Sequence, residues 1–415
     1  MTTHPPPQLL GRASAGARIS PTTALYAARA LRDFGDGFVA VLLPVYLAAL
    51  GLGPIEIGIV ATAALLGSAL TTLGVGLLGS GLDQRRLLLA ASALMAATGM
   101  LFAASNAYWT VLVIALVGTV NPSAGSVSIF VPLEHALLAR AAPDRERTAI
   151  FARYSLIGAL AAAAGALAAA SPDLMTRLGV AQASALRAMF VLYAVLGVGG
   201  GLLYARIPAA RQAGPAHAPR SPLGPSRGIV MRLAVLFSVD AFAGGFAVQS
   251  LLALWLFDRF GLSLTAAALF FFWSGVLAAF SFPVAAWLAR RIGLVNTMVY
   301  THIPSSICLI LAAIAPNLEL ALGLLLARAA LSQMDVPTRS SYVMAVVTPA
   351  ERPAAASVTS VPRSLAAAAS PALAGALFAA GLQAWPLVIC GVLKILYDIA
   401  LLWTFRHVKP PEEAS

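Results

Sequence analysis

Apolar runs of roughly 20 residues, the length a helix needs to cross a bilayer core, recur down the whole 415-residue chain, separated by short clusters of Arg, Asp, Gly and Pro. The runs predict twelve helical spans, at 23–50, 55–78, 87–105, 108–138, 149–171, 185–206, 229–257, 264–288, 295–314, 319–347, 354–380 and 385–405. Because the first run follows a Pro-rich leader and has no small-residue cleavage site after it, it is expected to be a retained helix and not a signal peptide. Between spans six and seven stands PAARQAGPAHAPRSPLGPSRG (208–228), too rich in Pro, Gly and Arg to form a span or a packed domain. The expected organisation is a cytoplasmic leader (1–22), a six-helix bundle (23–206), a linker (207–228), a second six-helix bundle (229–405) and a tail (406–415).

Composition strengthens this picture. With 60% hydrophobic residues, 10% charged residues and a mean hydropathy of +0.87, the chain is excluded from the water-soluble class and is expected to be an all-α polytopic membrane protein. The net charge of +11 does not indicate nucleic acid, because seventeen Lys and Arg lie in segments on one side of a twelve-span chain and only Arg177, Arg187 and Arg259 lie on the other. That asymmetry places both termini in the cytoplasm. Cys308 and Cys390 both fall inside apolar segments, so neither a disulfide framework nor a metal site is indicated. No phosphate-binding Gly-rich loop appears, which argues against ATP-driven pumping, and no nucleophile–base set suggests an enzyme. No cofactor is expected.

The two halves share features at a common offset. A shift of 205 positions sets Arg85-Arg86 on Arg290-Arg291 and Pro132 on Pro337; a shift of 210 sets Gly51-Leu52 on Gly261-Leu262 and Arg153 on Arg363. Both offsets are close to half the chain, as a duplicated bundle requires. After span two comes GLLGSGLDQRRLLL (76–89), which resembles the Gly-x-x-x-Asp-x-x-Gly-Arg-Arg loop of the major facilitator superfamily, with Asp83 at the acidic position and Arg85 and Arg86 as the basic pair. The second-half counterpart, WLARRIGLVNTM (287–298), keeps the Arg pair but has Ala289 where an acid often stands. The resemblance implies twelve transmembrane helices in two pseudo-symmetric bundles, a cytoplasmic latch built on Asp83, Arg85 and Arg86 with Arg363 as partner, and, by likeness to bacterial efflux members, a transporter of the inner membrane that works as a monomer.

The remaining basic residues lie inside the spans, where a lone charge at the bilayer centre costs about 2.5–3.5 kcal/mol on insertion scales. Arg29, Arg32, Asp33 and Asp36 share one helix face and predict two interlocked pairs, Arg29 with Asp33 and Arg32 with Asp36. Asp335 with Arg339, and Lys394 with Asp398, repeat the i,i+4 spacing. Apolar side chains would have served lipid burial better, so the charges are expected to line a polar cavity together with Glu134, His135, Arg153, Asp240, Gln249, His302, Arg328 and Arg363. Lys394 and Asp398 are the exception, read as a structural pair near a helix end. Pro337 and Asn121-Pro122 are expected to interrupt their helices and free backbone groups for a wet site.

Asp33, Asp36 and Glu134 are the candidate proton carriers. Asp36 is preferred, since Gly35 and Gly37 would let a ligand or another backbone come close. Together with the resemblance, which implies alternating access and efflux, these observations make proton-coupled efflux of a small solute the expected function. Uptake or exchange of an anionic metabolite through an Arg-lined cavity, and a membrane receptor without transport activity, stay open as alternatives.

Overall fold

A computed structural model describes residues 20–78, 82–123, 128–141, 147–208, 223–348 and 351–408. Most of the expected leader, linker and tail lies outside these residues, as do the side chains of Arg140, Arg145 and Arg147. The described residues form helices and no strands. In the first half these are α1 (Pro21–Ala49), α2 (Pro54–Leu78), α3 (Gln84–Ala104), α4 (Tyr108–Val117), α5 (Phe130–Ala141), α6 (Arg147–Ala168), α7 (Ser171–Arg177) and α8 (Gln182–Ala205). In the second half they are α9 (Arg227–Gly245), α10 (Gln249–Phe260), α11 (Leu264–Ile292), α12 (Leu294–Ala313), α13 (Leu318–Ser332), α14 (Asp335–Ala345), α15 (Arg352–Ala379) and α16 (Trp385–Phe405). Nine helical stretches among the described residues are long and apolar enough to cross a bilayer. The 29-residue α1 has the length but carries four charges.

Local chemistry sets several helix ends. Ser20 caps α1 by accepting the Thr23 N–H at 3.1 Å, ahead of Pro21 in the first turn, where a missing N–H costs nothing. Asp83 caps α3 in the same way, through the Arg85 N–H at 3.0 Å. Three of the predicted spans are interrupted. The fourth breaks between α4 and α5, where the Asn121 side chain accepts the Ser123 N–H at 2.9 Å in a tight turn. The seventh, expected to be continuous, breaks at 246–248. The tenth breaks at 333–334, ahead of Asp335, so that Pro337 does not sit at the break but in the first turn of α14, where no N–H is missed.

Each half packs chiefly on itself: α1 lies against α6 and α8, and α3 against α8, while α9 lies against α15 and α16, and α12 against α13 and α16. The halves meet where α2 faces α15, α6 faces α11 and α1 faces α10. Small residues make these meetings close. A Cβ on Gly58 of α2 would stand 2.6 Å from the Pro371 carbonyl of α15, and one on Gly375 would stand 2.4 Å from the Pro54 carbonyl. The Ala372 N–H, beside Pro371, donates to Thr62 Oγ1 across this boundary at 3.0 Å. Nearby, Asp173 accepts both the N–H and the hydroxyl of Thr265 at the start of α11, at 3.0 and 2.7 Å. All these contacts lie toward the end of the molecule where α1 finishes and α2 begins, opposite the start of α1 and the end of α16. On the far part of α2, Gly74 and Gly76 face open space.

Candidate functional site

The α1 charges are buried, but not in the expected pairs. Arg29 Nε meets Asp33 Oδ2 at 2.6 Å, as the spacing predicts. Arg32 does not pair with Asp36; it reaches Asp33 Oδ1 at 3.3 Å and Glu134 Oε2 of α5 at 2.9 Å. Glu134 offers two oxygens already supported by the hydroxyls of Tyr154 (α6) and Tyr204 (α8), the latter at 2.5 Å, so the guanidinium completes a satisfied carboxylate there. Aromatic faces cover the cations: Arg32 lies 4.7 Å from the Phe130 ring centre and Arg29 lies 4.7 Å from that of Tyr154.

Among the described residues Asp36 is left without a cation. It is 2% exposed, and its one side-chain partner among them is the Tyr193 hydroxyl of α8 at 3.2 Å. The same hydroxyl stands 3.1 Å from the Thr119 carbonyl in the α4–α5 break, and its single proton can serve only one of them at a time. Of the two approaches expected at the flanking glycines, a ligand or another backbone, Gly37 shows the second. A Cβ on Gly37 would lie 2.1 Å from the Ala162 carbonyl of α6, and one on Gly35 would touch the Tyr193 ring at 2.9 Å. Both glycines serve helix packing.

A second network fills the other half. Arg339 NH1 joins Asp335 Oδ2 (3.0 Å) to Asp240 Oδ2 of α9 (3.2 Å), and Lys394 Nζ of α16 takes the other Asp240 oxygen at 2.6 Å. His302 of α12 follows, with Nε2 3.3 Å from Lys394 and Nδ1 3.1 Å from Asp398. The expected Lys394–Asp398 pair is therefore replaced by Lys394–Asp240 and His302–Asp398, and both residues belong to the buried network and not to a helix end. His302, expected among the cavity residues, and Lys394, expected outside them, are joined through tertiary contacts that no spacing within one helix encodes.

The other expected cavity and gate residues are arranged differently. Arg153 is exposed and makes no ion pair among the described residues, and Gln249, half-buried at the start of α10, belongs to neither network. The neighbouring Ser250 N–H donates to the Pro122 carbonyl at 3.1 Å, so the breaks of the two halves hold each other. The Asp83–Arg363 latch is not formed. Asp83 is engaged in capping α3, and Arg363, about three turns into α15, lies within electrostatic range of Arg339, Asp240, Asp335 and Tyr397. Arg85 donates to the Ala205 carbonyl at 2.6 Å, while Arg86 points outward. Among the described residues no cluster of His, Cys, Asp and Glu could hold a metal ion.

Outside the membrane spans, Glu351 ties the end of the linker to the start of α15. It accepts from the Ser226 hydroxyl (2.6 Å), the Thr348 hydroxyl (2.7 Å) and the Gly224 N–H (2.5 Å). These bonds, Ser226 first, pull its carboxyl down from 4.5 to about 2.

Comparison with known proteins agrees with this architecture. The chain is 25% identical, over 92% of its length and 94% of the relative's, to an uncharacterised membrane protein of Saccharomyces cerevisiae. Its fold is similar to a bacterial homologue of the human lysosomal transporter Spinster, solved inward-facing and unoccupied (TM-score 0.72, 15% identity, 95% of this chain and 98% of that one). It is similar too to the nucleoside transporter NupG (0.72, 14%, 94% and 100%) and to the human organic anion transporter MFSD10 (0.62, 17%, 92% and 99%). The sequence profile of the Major Facilitator Superfamily matches residues 25–332 and 241–415, and with two helical bundles meeting along α2–α15 and α6–α11, this chain is a member of that superfamily of membrane transporters.

Proposed function

We propose that the protein is a proton-coupled secondary transporter that exports a small solute by alternating access. The observation that carries this reading is Asp36: a carboxylate sealed inside the first bundle, given no cation although Arg29 and Arg32 lie on its own helix face. A buried carboxylate is expensive as an anion without a partner and cheap as a neutral acid, so it is suited to exchange a proton when its surroundings rearrange. Glu134 and Asp33 are held by arginines and are poorly suited to that part. Tyr193 gives the proton state a mechanical reach. With Asp36 ionised, the hydroxyl donates to it; with Asp36 protonated, it is free to donate to the Thr119 carbonyl in the α4–α5 break.

In this reading α1, α4 with α5, and α15 cross the membrane as well, which brings the spans to twelve and both termini to the cytoplasmic side. The bundles at 23–206 and 229–405 rock about the charged centre. The close meeting of α2 with α15 seals the end away from the termini, which supports a cytoplasm-open state for the arrangement described. Transport of a solute library in proteoliposomes under an imposed pH gradient tests the reading. A solute that accumulates with the gradient in the parent, and only exchanges in Asp36→Asn, is the expected result; gradient-driven accumulation that survives Asp36→Asn refutes it.

A further inference from the structure

In the second-half network, the hydrogen-bond roles of His302 are fixed by its neighbours. The ring is 3% exposed and lies between Lys394 and Asp398 of α16. An ammonium has only protons to give, so His302 Nε2, 3.3 Å from Lys394 Nζ, accepts. The ring proton then sits on Nδ1 and is donated to Asp398, both of whose oxygens lie at 3.1 Å. His302 is therefore neutral in this arrangement and Asp398 is ionised. Asp398 is buried, and the imidazole is its one side-chain partner among the described residues.

A second arrangement is open to the same groups. A proton on Nε2 turns the Asp398 contact into an ion pair, which favours the charged ring, and turns the Lys394 contact into a meeting of two cations, which opposes it. The ring cannot keep both neighbours. An acceptor for the new N–H stands 3.9 Å from Nε2: it is Asp240 Oδ1 of α9, the oxygen that Lys394 holds at 2.6 Å. Room for a displaced ammonium lies beside Gly244 of α9, where an added Cβ would meet only Lys394 itself, its Cε and Nζ both at 3.9 Å. Asp240 keeps Arg339 on its other oxygen at 3.2 Å. The remaining charges on the helices around His302 are engaged elsewhere or exposed. Asp335 and Arg339 of α14 bind each other at 3.0 Å. Arg328 of α13 has the Cys390 and Cys308 thiols as its electrostatic neighbours, while Glu319 of α13, Arg290 and Arg291 of α11, and Arg227 and Arg232 of α9 are exposed. Tyr397 of α16 stands edge-on to the imidazole, ring centres 6.2 Å apart.

We propose that His302 is a second proton-carrying residue of the transport cycle, and that its proton evicts Lys394 from Asp240. The proton binds Nε2, the Lys394–Asp240 bond breaks, and a bridge from Asp398 through His302 to Asp240 forms. Lys394 keeps its own protons, so the network gains one positive charge and loses it again when Nε2 is deprotonated. The exchange changes how α16 and α12 are held to α9. This inference rests on the proton-coupled reading, but the site is tested apart from it.

The test is nitrogen NMR of the full-length protein in detergent, isotope-labelled in its histidine rings, between about pH 5 and 8, where imidazoles change charge. The chain has five histidines, and the His302 signal is the one lost in His302→Gln, whose amide can give to Asp398 and accept from Lys394 as the neutral ring does. Should that variant fail to fold, replacing His4, His135, His217 and His407 isolates the same signal with the site intact. At the upper end of the range a protonated Nδ1 and a bare Nε2 are expected, and Nε2 should gain its proton within the range as the pH falls. Lys394→Met removes the opposing cation and should raise the midpoint by on the order of one pH unit. A ring that is charged or neutral throughout, that carries its proton on Nε2 when neutral, or whose midpoint stays in place in Lys394→Met overturns the proposal. In proteoliposomes, a library solute that the parent accumulates under a pH gradient should still exchange in His302→Gln but accumulate several-fold less. Undiminished accumulation in His302→Gln, with Asp36→Asn uncoupled, overturns the proposal and leaves the reading built on Asp36 standing. Undiminished accumulation in Asp36→Asn, with His302→Gln impaired, does the reverse.

Discussion

At the scale of single residues, the buried charges obey a partner rule more than a spacing rule. The i,i+4 pattern on α1 correctly brings Arg29 to Asp33, yet the same pattern fails for Arg32 with Asp36 and for Lys394 with Asp398. In each failure the long cation has a choice, and a carboxylate on a neighbouring helix offers a better-supported pair than the one on its own. A testable consequence concerns Lys394 and Asp240, joined at 2.6 Å in the second-half network. Lys394→Met leaves one oxygen of Asp240 uncompensated and should lower stability by about 3–5 kcal/mol, the usual result of breaking one side of a buried pair. Adding Asp240→Asn removes the orphaned charge and should recover much of the loss. Melting of the two single variants and the double variant in detergent gives the coupling directly; losses that simply add would show that the pair is not a unit. The sequence alone disclosed which residues are costly to bury. It could not disclose Tyr154, Tyr193 and Tyr204, which complete the first-half network, because a tyrosine in an apolar span follows no pattern that separates a hydrogen-bonding partner from a core ring.

At the scale of elements, the nine apolar spans found among the described residues were legible from run length, while interruptions were legible only where a strong breaker marks them. Asn121-Pro122 announces the α4–α5 break, but Phe246-Ala247-Val248, where α9 gives way to α10, contains no breaker, and only Gly244-Gly245 just before it weakens the helix. Tertiary fit decides there: a Cβ on Gly245 would lie 2.5 Å from the Ala367 carbonyl of α15, and Ser370 donates to the Phe242 carbonyl at 2.6 Å. Glycines that look alike in sequence therefore differ in consequence. Gly37→Ala must push α1 from the α6 backbone and should cost about 1–3 kcal/mol, whereas Gly74→Ala on α2 meets nothing and should be neutral or stabilising by about 0.4–1 kcal/mol. Paired thermal melts check the contrast, and equal effects at both sites would contradict the α1–α6 packing described.

The attachment of the linker to α15 depends on pH at the same scale. The Glu351 carboxyl has a lower pKa when folded, about 2, than when free, so its bonds contribute fully above pH 4.5 and are lost as the pH falls toward 2. Protection of the Gly224 and Ser226 amides, taken against their intrinsic exchange rates at each pH, should fall over that window in the parent. It should already be low at neutral pH in Glu351→Gln, and protection that does not respond to either change would remove Glu351 as the clasp.

At the scale of the whole molecule, the boundary between the bundles suits the rocking proposed above. It uses small side chains and few polar bonds: Gly58 and Gly375 in close approach, Ala163 against Gly275, and isolated hydrogen bonds at Thr62–Ala372 and Asp173–Thr265. Each bundle, by contrast, keeps its charges within itself, and no ion pair joins the two networks among the described residues. Rocking can then proceed without breaking a buried salt bridge, whose partners would each be left desolvated at a cost of several kcal/mol. A side chain wedged into the boundary should shift the equilibrium toward the state open at that end. Gly375→Leu is the strongest wedge, because even one added carbon would lie 2.4 Å from the Pro54 carbonyl. The reporter is Thr62→Cys, placed on α2 beside the crossing hydrogen bond to Ala372 and labelled with a membrane-impermeant maleimide from the side opposite the termini. Slow labelling of the single variant and fast labelling in the Gly375→Leu background, with the unliganded protein still monodisperse, is the expected outcome. Labelling that stays slow while the protein remains folded would mean that α2 and α15 form a fixed seam, and motion between the bundles would then have to be sought along α6 and α11.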